Sequence, residues 1–227
     1  MIDLHTHALP QIDDGAKTVQ ESIEMLSDSF LQGVRICALT PHCVVRANED
    51  IDNFIEKRQN SYTQLKTALN STEVPKLFLG AEVYVDHDIS TYDDIEELCI
   101  GDSKKMLIEL PIDKRYKWLA DCIFSLNLKG ITVVLAHIDR YMAREDIIRD
   151  LIGLDVIYQI NATRFLSFSG RRIIKKLLLN DAKFIISSDM HNMAKRRCYM
   201  KAAYEKAMKM FPGQADLMFN NNIETII

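Results

Sequence analysis

The chain has 227 residues, 48% of them hydrophobic and 26% charged, with a formal net charge of −4. Length and composition describe one ordinary globular domain over residues 1–227, and the acidic balance argues against a general nucleic-acid binder. No apolar run approaches the roughly 18–20 residues that cross a bilayer, and the start lacks the basic-then-apolar plan of a signal peptide, so a cytoplasmic protein is expected.

The chain opens on MIDLHTHALPQIDDG. In a β-strand residues i and i+2 point the same way, so His5 and His7 could converge on one metal ion; an exposed arm with scattered polar residues is the plainer alternative. MIDLH is the first of seven strand candidates. In 18–32, Val19, Ile23, Leu26 and Phe30 recur at helical spacing and Gly33 follows as a stop. RICALT (35–40) reads as the next strand, 51–69 as a helix, then KLFLGAEVY (76–84) and KMLIEL (105–110) as strands. A helix over 115–129 precedes TVVLAH (132–137), and one over 142–152 precedes VIYQIN (156–161). The last pair of helices, 170–180 and 194–210, flank KFIISSD (183–189). The strand runs are almost continuously apolar, as in parallel strands covered on both faces. Alternating β and α implies a parallel sheet with helices outside, either closed into a barrel or open and doubly wound.

Metal-competent residues stand at the end of nearly every strand: His5 and His7, His42, Glu82, Glu109, His137, then Asp189 and His191. Of the six histidines only His87 falls elsewhere. A parallel barrel gathers such ends on one face, whereas an open sheet spreads them along a line. A lone histidine is more often a core or surface residue than a ligand; this repeated placement reverses those odds.

Neutral imidazole and ionised carboxylate suit Mn, Fe and Zn. So many donors exceed the needs of one ion and suit roughly two or three, bridged by a carboxylate, which clamp attacking and leaving oxygens in phosphoryl transfer while a bridging water loses its proton near neutral pH. The five cysteines, Cys37, Cys43, Cys99, Cys122 and Cys198, form no C-x-x-C pair, so neither a disulfide framework nor a cysteine zinc site is expected. Nor do they offer a cysteine-phosphatase loop, which places Arg six positions after the nucleophile. Those positions hold Cys43, Glu49, Lys105, Leu128 and Tyr204.

HTH at residue 5, TPH (40–42), GAEVY (80–84), LIEL (107–110), AHIDRY (136–141) and SSDMHN (187–192) together resemble the polymerase-and-histidinol-phosphatase superfamily. DDGAKT, AHIDRY and SDMHN in this order resemble, more narrowly, its bacterial manganese-dependent protein tyrosine phosphatases, over residues 1 to about 210. The resemblance implies a distorted (β/α)7 barrel with a trinuclear centre, Mn²⁺ first and Fe or Zn next. It also implies a phosphotyrosine protein as substrate, an autophosphorylated bacterial tyrosine kinase of capsule and exopolysaccharide synthesis. Carried over, His5, His7, Glu82 and Asp189 hold one ion, and Glu82 bridges to a second completed by Glu109 and His137. Asp14, His42 and His191 hold the third, with Asp13 the alternative to Asp14 and Asp14 a candidate proton donor. Arg140 and Arg196 correspond to arginines that grip phosphate, in the bidentate manner guanidinium allows, with Arg197 the alternative to Arg196. Both arginines are expected on loops. Asn161 is expected either to hydrogen-bond a ligand or to serve structure.

The sequence departs from the family pattern in MAKRRCYM (193–200), in the loop from Cys43 to Asp50 and in the C-terminal FNNNIETII. Two rivals to the tyrosine-phosphatase reading share the donor set: a small-molecule phosphatase of the histidinol-phosphatase kind, and a metal-dependent nuclease, which should carry a basic groove. A non-enzymatic binding module is disfavoured because every ligand position is kept.

Overall fold

A computed structural model describes residues 1–70, 72–112, 117–141, 151, 153–168, 170–179 and 182–220. Its strands are β1 (Ile2–Thr6), β2 (Ile36–Leu39), β3 (His42–Val44), β4 (Lys76–Leu79), β5 (Glu82–Tyr84), β6 (Lys105–Glu109), β7 (Thr132–Leu135), β8 (Val156–Asn161) and β9 (Phe184–Ser187). They form two sheets, ordered β1-β2-β4 and β3-β5-β6-β7-β8-β9, with every pairing parallel. The protein is thus an α/β fold of parallel sheets.

All seven expected strand segments are present; KLFLGAEVY breaks in two at Gly80, and a further strand, β3, follows RICALT beyond Pro41. Pro41 has no N–H to give a ladder, and the chain bends there between β2 and β3. At Gly80, between β4 and β5, a Cβ would lie 2.9 Å from Ile100 Cγ1 and 3.2 Å from Thr40 Cγ2. Backbone bonds cross both breaks, from Gly80 N to Leu39 O and from Glu82 N to Pro41 O, each 2.9 Å. The outer strands β1 and β9 also meet, through bonds of 2.9 Å from Asp189 N to His5 O and from His7 N to Met190 O, with a parallel bridge between Thr6 and Met190.

The helices are α1 (Val19–Leu31), α2 (Asn48–Ala68), α3 (Leu119–Leu128), α4 (Ile138–Tyr141), α5 (Ala162–Leu166), α6 (Gly170–Leu179), α7 (Met200–Met210) and α8 (Ala215–Phe219), with a 3₁₀ turn at Ile95–Leu98. Thr18 caps α1 by accepting from Glu21 N at 3.1 Å, and Asp50 accepts from Ala47 N at 2.9 Å at the head of α2. The helix expected over 142–152 falls almost wholly outside the described residues. The one expected over 194–210 starts only at Met200, because Asn192 Oδ1 diverts the chain. It accepts from Ala194 N and Arg196 N, an Asx turn that competes with helix.

The core divides by strand alternation. Leu4, Ala38, Phe78, Leu107, Val134, Ile157 and Ile185, from β1, β2, β4, β6, β7, β8 and β9, pack together on one face of the sheets. Their neighbours Cys37, Leu39, Met106, Ile108, Val133, Leu135, Ile160, Phe184 and Ile186 belong to the larger core shared with the helices. Each fully buried Leu or Ile stabilises the fold by about 1.5–3 kcal/mol. Packing on both faces brings the strands' C-terminal ends together.

Candidate metal centre

Glu82 stands at the middle of the convergent ends and is 1% exposed. Its Oε1 lies 2.9 Å from His137 Nε2 and 3.2 Å from His5 Nε2. Its Oε2 lies 2.8 Å from His42 Nδ1 and 3.3 Å from His7 Nε2. One carboxylate from β5 thus touches imidazoles supplied by β1, the segment after it, β3 and the end of β7. Burial opposes ionisation of Glu82, yet His5 and the hydrogen bonds from its imidazole neighbours hold its carboxyl well below the usual range. Asp189 answers it from the end of β9. Its Oδ1 lies 3.6 Å from His5 Nε2, 3.7 Å from His7 Nε2 and 3.4 Å from His191 Nδ1. Burial disfavours its charge too, but His5, His137, His7 and Arg196 bring its pKa down to about 2. His5 shows the converse: burial disfavours its cation, while Glu82 and Asp189 raise it to about 9.

The adjacent acidic pair separates in space. Asp14 Oδ1 lies 3.3 Å from both His42 Nε2 and His191 Nε2. Asp13 instead turns to the back of His7, where Oδ2 accepts from Nδ1 at 2.6 Å and from the backbone N of His42 at 3.1 Å. Gly15 permits this turn: a Cβ there would lie 2.0 Å from His7 O and 2.6 Å from His7 Cβ, so no side chain fits. The glycine after the pair is therefore part of the site.

Four sets of donors lie within 4.8 Å of one another: His7, Asp14, His42 and His191; His5, His137 and Asp189; His5, His7 and Glu82; His42, Glu82 and Glu109. All nine expected ligand positions occur in them. The donor chemistry fits cations, because His5 Nε2 and His7 Nε2 face each other at 3.1 Å, while Glu82 Oε2 and His191 Nε2 are buried without a well-aligned hydrogen bond. Such groups cost about 1–3 kcal/mol each when left unsatisfied. His137 and Asp189 have φ of +54° and +53°, left-handed backbone that is costly for a residue with a Cβ and that clusters at functional sites.

Two guanidinium groups stand over the donors. Arg140 ion-pairs with Glu109, from α4 rather than from the loop expected of it, because the chain after β7 coils at once with Arg140 N bonded to His137 O. Arg196 places one nitrogen 2.9 Å from both oxygens of Asp189 and another 3.6 Å from Asp14 Oδ2; its turn is the one Asn192 builds. Arg197 points elsewhere and pairs with Asp28 at 3.2 Å. His87 also sits apart, bonded to Arg46 at 3.0 Å and Tyr92 at 2.9 Å. A cavity of about 430 Å³ opens beside His42, walled by Ile12, Val44, Asn53, Phe54 and Lys57.

Sequence reasoning missed one member of the site, Gln159, which is fully buried and lies 3.3 Å from His5 Nδ1. Its signal was the alternation Ile157, Gln159, Asn161, which puts two carboxamides in line with an inward core residue.

A family model described as capsular polysaccharide synthesis, CpsB/CapC, matches residues 1–227. The tyrosine-protein phosphatase CpsB of Streptococcus pneumoniae is 31% identical over 246 aligned positions, covering 100% of this chain and 98% of the relative. The tyrosine-protein phosphatase YwqE of Bacillus subtilis (strain 168) is 28% identical over 240 positions, covering 100% and 91%. Among the crystal structures of YwqE from B. subtilis and CpsB from S. pneumoniae, described as unique metal-dependent tyrosine phosphatases, one chain superimposes with a TM-score of 0.78 at 25% identity, covering 97% of this chain and 95% of that one. With its whole length matched and its metal-competent ends intact, this chain belongs to the CpsB/CapC capsular polysaccharide synthesis family.

Proposed function

We propose that the protein is a metal-dependent protein-tyrosine phosphatase, with residues 1–227 acting as one catalytic domain. The convergence of five imidazoles and three further carboxylates around Glu82 carries this reading. The relatives named above support the substrate class. A distorted (β/α)7 barrel accounts for seven strand units whose first and last members are hydrogen-bonded.

His5, His7, Glu82 and Asp189 would hold one cation, Glu82, Glu109 and His137 a second, and Asp14, His42 and His191 a third; Mn²⁺ suits this oxygen- and imidazole-rich set. Bound there, divalent cations supply Lewis acidity toward the phosphoryl oxygens and a water acidic enough to attack at neutral pH. Arg140 and Arg196 orient the equatorial oxygens and stabilise their charge as it builds. Asp14, the exposed carboxylate of the set, would hold its cation in ionised form, so any proton it passes to the leaving phenolate must first come from solvent. Phenolate, with a parent pKa of about 10, leaves without a strong acid. An autophosphorylated tyrosine kinase of capsule or exopolysaccharide synthesis is the partner, in the cytoplasm. No described helix is long and apolar enough to cross a membrane, and all five cysteines are free and buried.

Metal analysis with an activity panel tests the proposal. Phosphotyrosine peptide should be hydrolysed, and the activity lost to a chelator and restored by Mn²⁺. Preference for histidinol phosphate, or cleavage of a nucleic acid, would reassign the substrate.

A further inference from the structure

Strand β8 differs from its neighbours in ending on carboxamides, with no metal-competent residue. Gln159 and Asn161 share its inward face, and their hydrogen bonds form a chain whose polarity is determined. The backbone N of His137, which can only donate, lies 2.9 Å from Gln159 Oε1; the atom it meets must therefore be the amide oxygen. His5 Nδ1, 3.3 Å from the same oxygen, is then an N–H. Gln159 Nε2 faces Asn161 Oδ1 at 3.0 Å, which makes that atom an oxygen as well. Asn161 Nδ2 is left to donate to Asp189 Oδ2 at 2.7 Å, an ionised carboxylate that can only accept. His137 Nδ1, 3.0 Å from Asn161 Oδ1, is therefore also an N–H.

We infer that Gln159 and Asn161 are positioning residues that hold a proton on Nδ1 of His5 and His137, so that Nε2, which faces Glu82 at 3.2 and 2.9 Å, is the nitrogen each ring gives up to a cation. His7 is held the same way by a different residue, Asp13, on its Nδ1. His137 combines left-handed backbone, φ +54°, with the N–H that anchors the chain of amides. Neutral imidazole binds a cation through the nitrogen that carries no proton, and the group on the other nitrogen sets which one that is. One strand thus prepares ligands for two of the proposed cations at once.

The consequence for metal affinity rests on the metal-centre reading; the tautomers do not. Nitrogen-resolved proton NMR of the full chain reads the six histidines directly, with Zn²⁺ as a diamagnetic probe and again after chelation at alkaline pH, where the rings are neutral. Wild type should show protonated, hydrogen-bonded Nδ1 at His5, His7 and His137. Gln159→Met should remove the hydrogen bond at His5 Nδ1 and leave the one at His137 Nδ1, although the backbone N–H of His137 loses its acceptor; Asn161→Ala should do the reverse at the two rings; neither should move His7. Each variant should lose ~10–100-fold in Zn²⁺ affinity measured against a competing chelator. A residue that merely fills space would give no such crossed pattern, and methionine would replace Gln159 without loss. Protons found on Nε2 of His5 or His137 in wild type would overturn the inference even if no variant folds, as would variants that keep Zn²⁺ affinity within about twofold. Failure of wild type to bind any metal, with Nδ1 protonated, would sink the metal reading and leave the tautomer lock standing.

Discussion

Glu82 and His137, 55 residues apart, meet at 2.9 Å between Oε1 and Nε2, and the same carboxylate reaches His42 at 2.8 Å with its other oxygen. A group with both oxygens engaged on different sides is a bridge, and its loss should cost more than one ion. Glu82→Gln should fold, judged by an unchanged circular dichroism spectrum, while bound metal falls by more than one equivalent and phosphotyrosine hydrolysis disappears. An active, fully metallated variant would refute the arrangement.

The thiols should be bystanders. Burial pushes Cys43, Cys99, Cys122 and Cys198 up to about 12 and Cys37 well above its ordinary value, so thiolate, the reactive form, is scarce at neutral pH. Alkylating reagents applied to the native protein should leave turnover nearly unchanged, whereas chelation abolishes it and Mn²⁺ restores it. Loss of activity on alkylation, with metal content and fold intact, would contradict a cysteine-independent reaction.

Arg140 and Arg196 should behave alike, and Arg197 differently. Arg140→Ala or Arg196→Ala should lower turnover by roughly two to three orders of magnitude, the range for one preorganised donor to a transition state. Arg140→Lys should recover part of the loss, because an ammonium keeps charge without the fork. Metal content should not fall, since neither guanidinium is a ligand. Arg197, paired with Asp28, should tolerate alanine with normal kinetics and a stability change of about 0–1 kcal/mol. Steady-state kinetics with metal quantified in the same samples decides between Arg196 and Arg197.

Asp3 should impose a pH dependence on folding. It is fully buried, accepts at Oδ1 from Ser188 N at 2.9 Å and leaves Oδ2 without a partner. Burial raises its pKa from 3.8 to about 6. A folded pKa above the unfolded one means that the native state holds the extra proton, so its contribution is fully present below 3.8 and lost as pH rises through about 6. The loss amounts to about 3 kcal/mol at neutral pH. Asp3→Asn keeps the acceptor and cannot ionise. Its stability relative to wild type should therefore rise by about 2 kcal/mol between about pH 4.5 and 7.5, read from urea midpoints of both proteins in chelator. A difference independent of pH would show that Asp3 stays ionised throughout.

Alternation of apolar runs with helical periods, together with the repeat of histidines and acids where each run ends, made the parallel α/β class and eight of the nine converging residues legible without coordinates; Asp14 entered only through the family resemblance. Both are local patterns: periodicity decides which residues face a core, and strand direction decides which end they occupy. The tertiary structure decided what depends on distance between separate segments. Asp13 and Asp14 are equivalent as letters, and only the turn permitted by Gly15 sends one behind His7 and the other toward His42 and His191. Arg196 and Arg197 are likewise adjacent, and the Asn192 turn aims one at Asp189 while the other meets α1 at Asp28. Gln159 carries no metal-binding group, and the alternation Ile157, Gln159, Asn161 marks only the face it shares, not its partners. Its part follows from the strand order that sets β8 between β7 and β9, within reach of His137 on one side and, through Asn161, of Asp189 on the other.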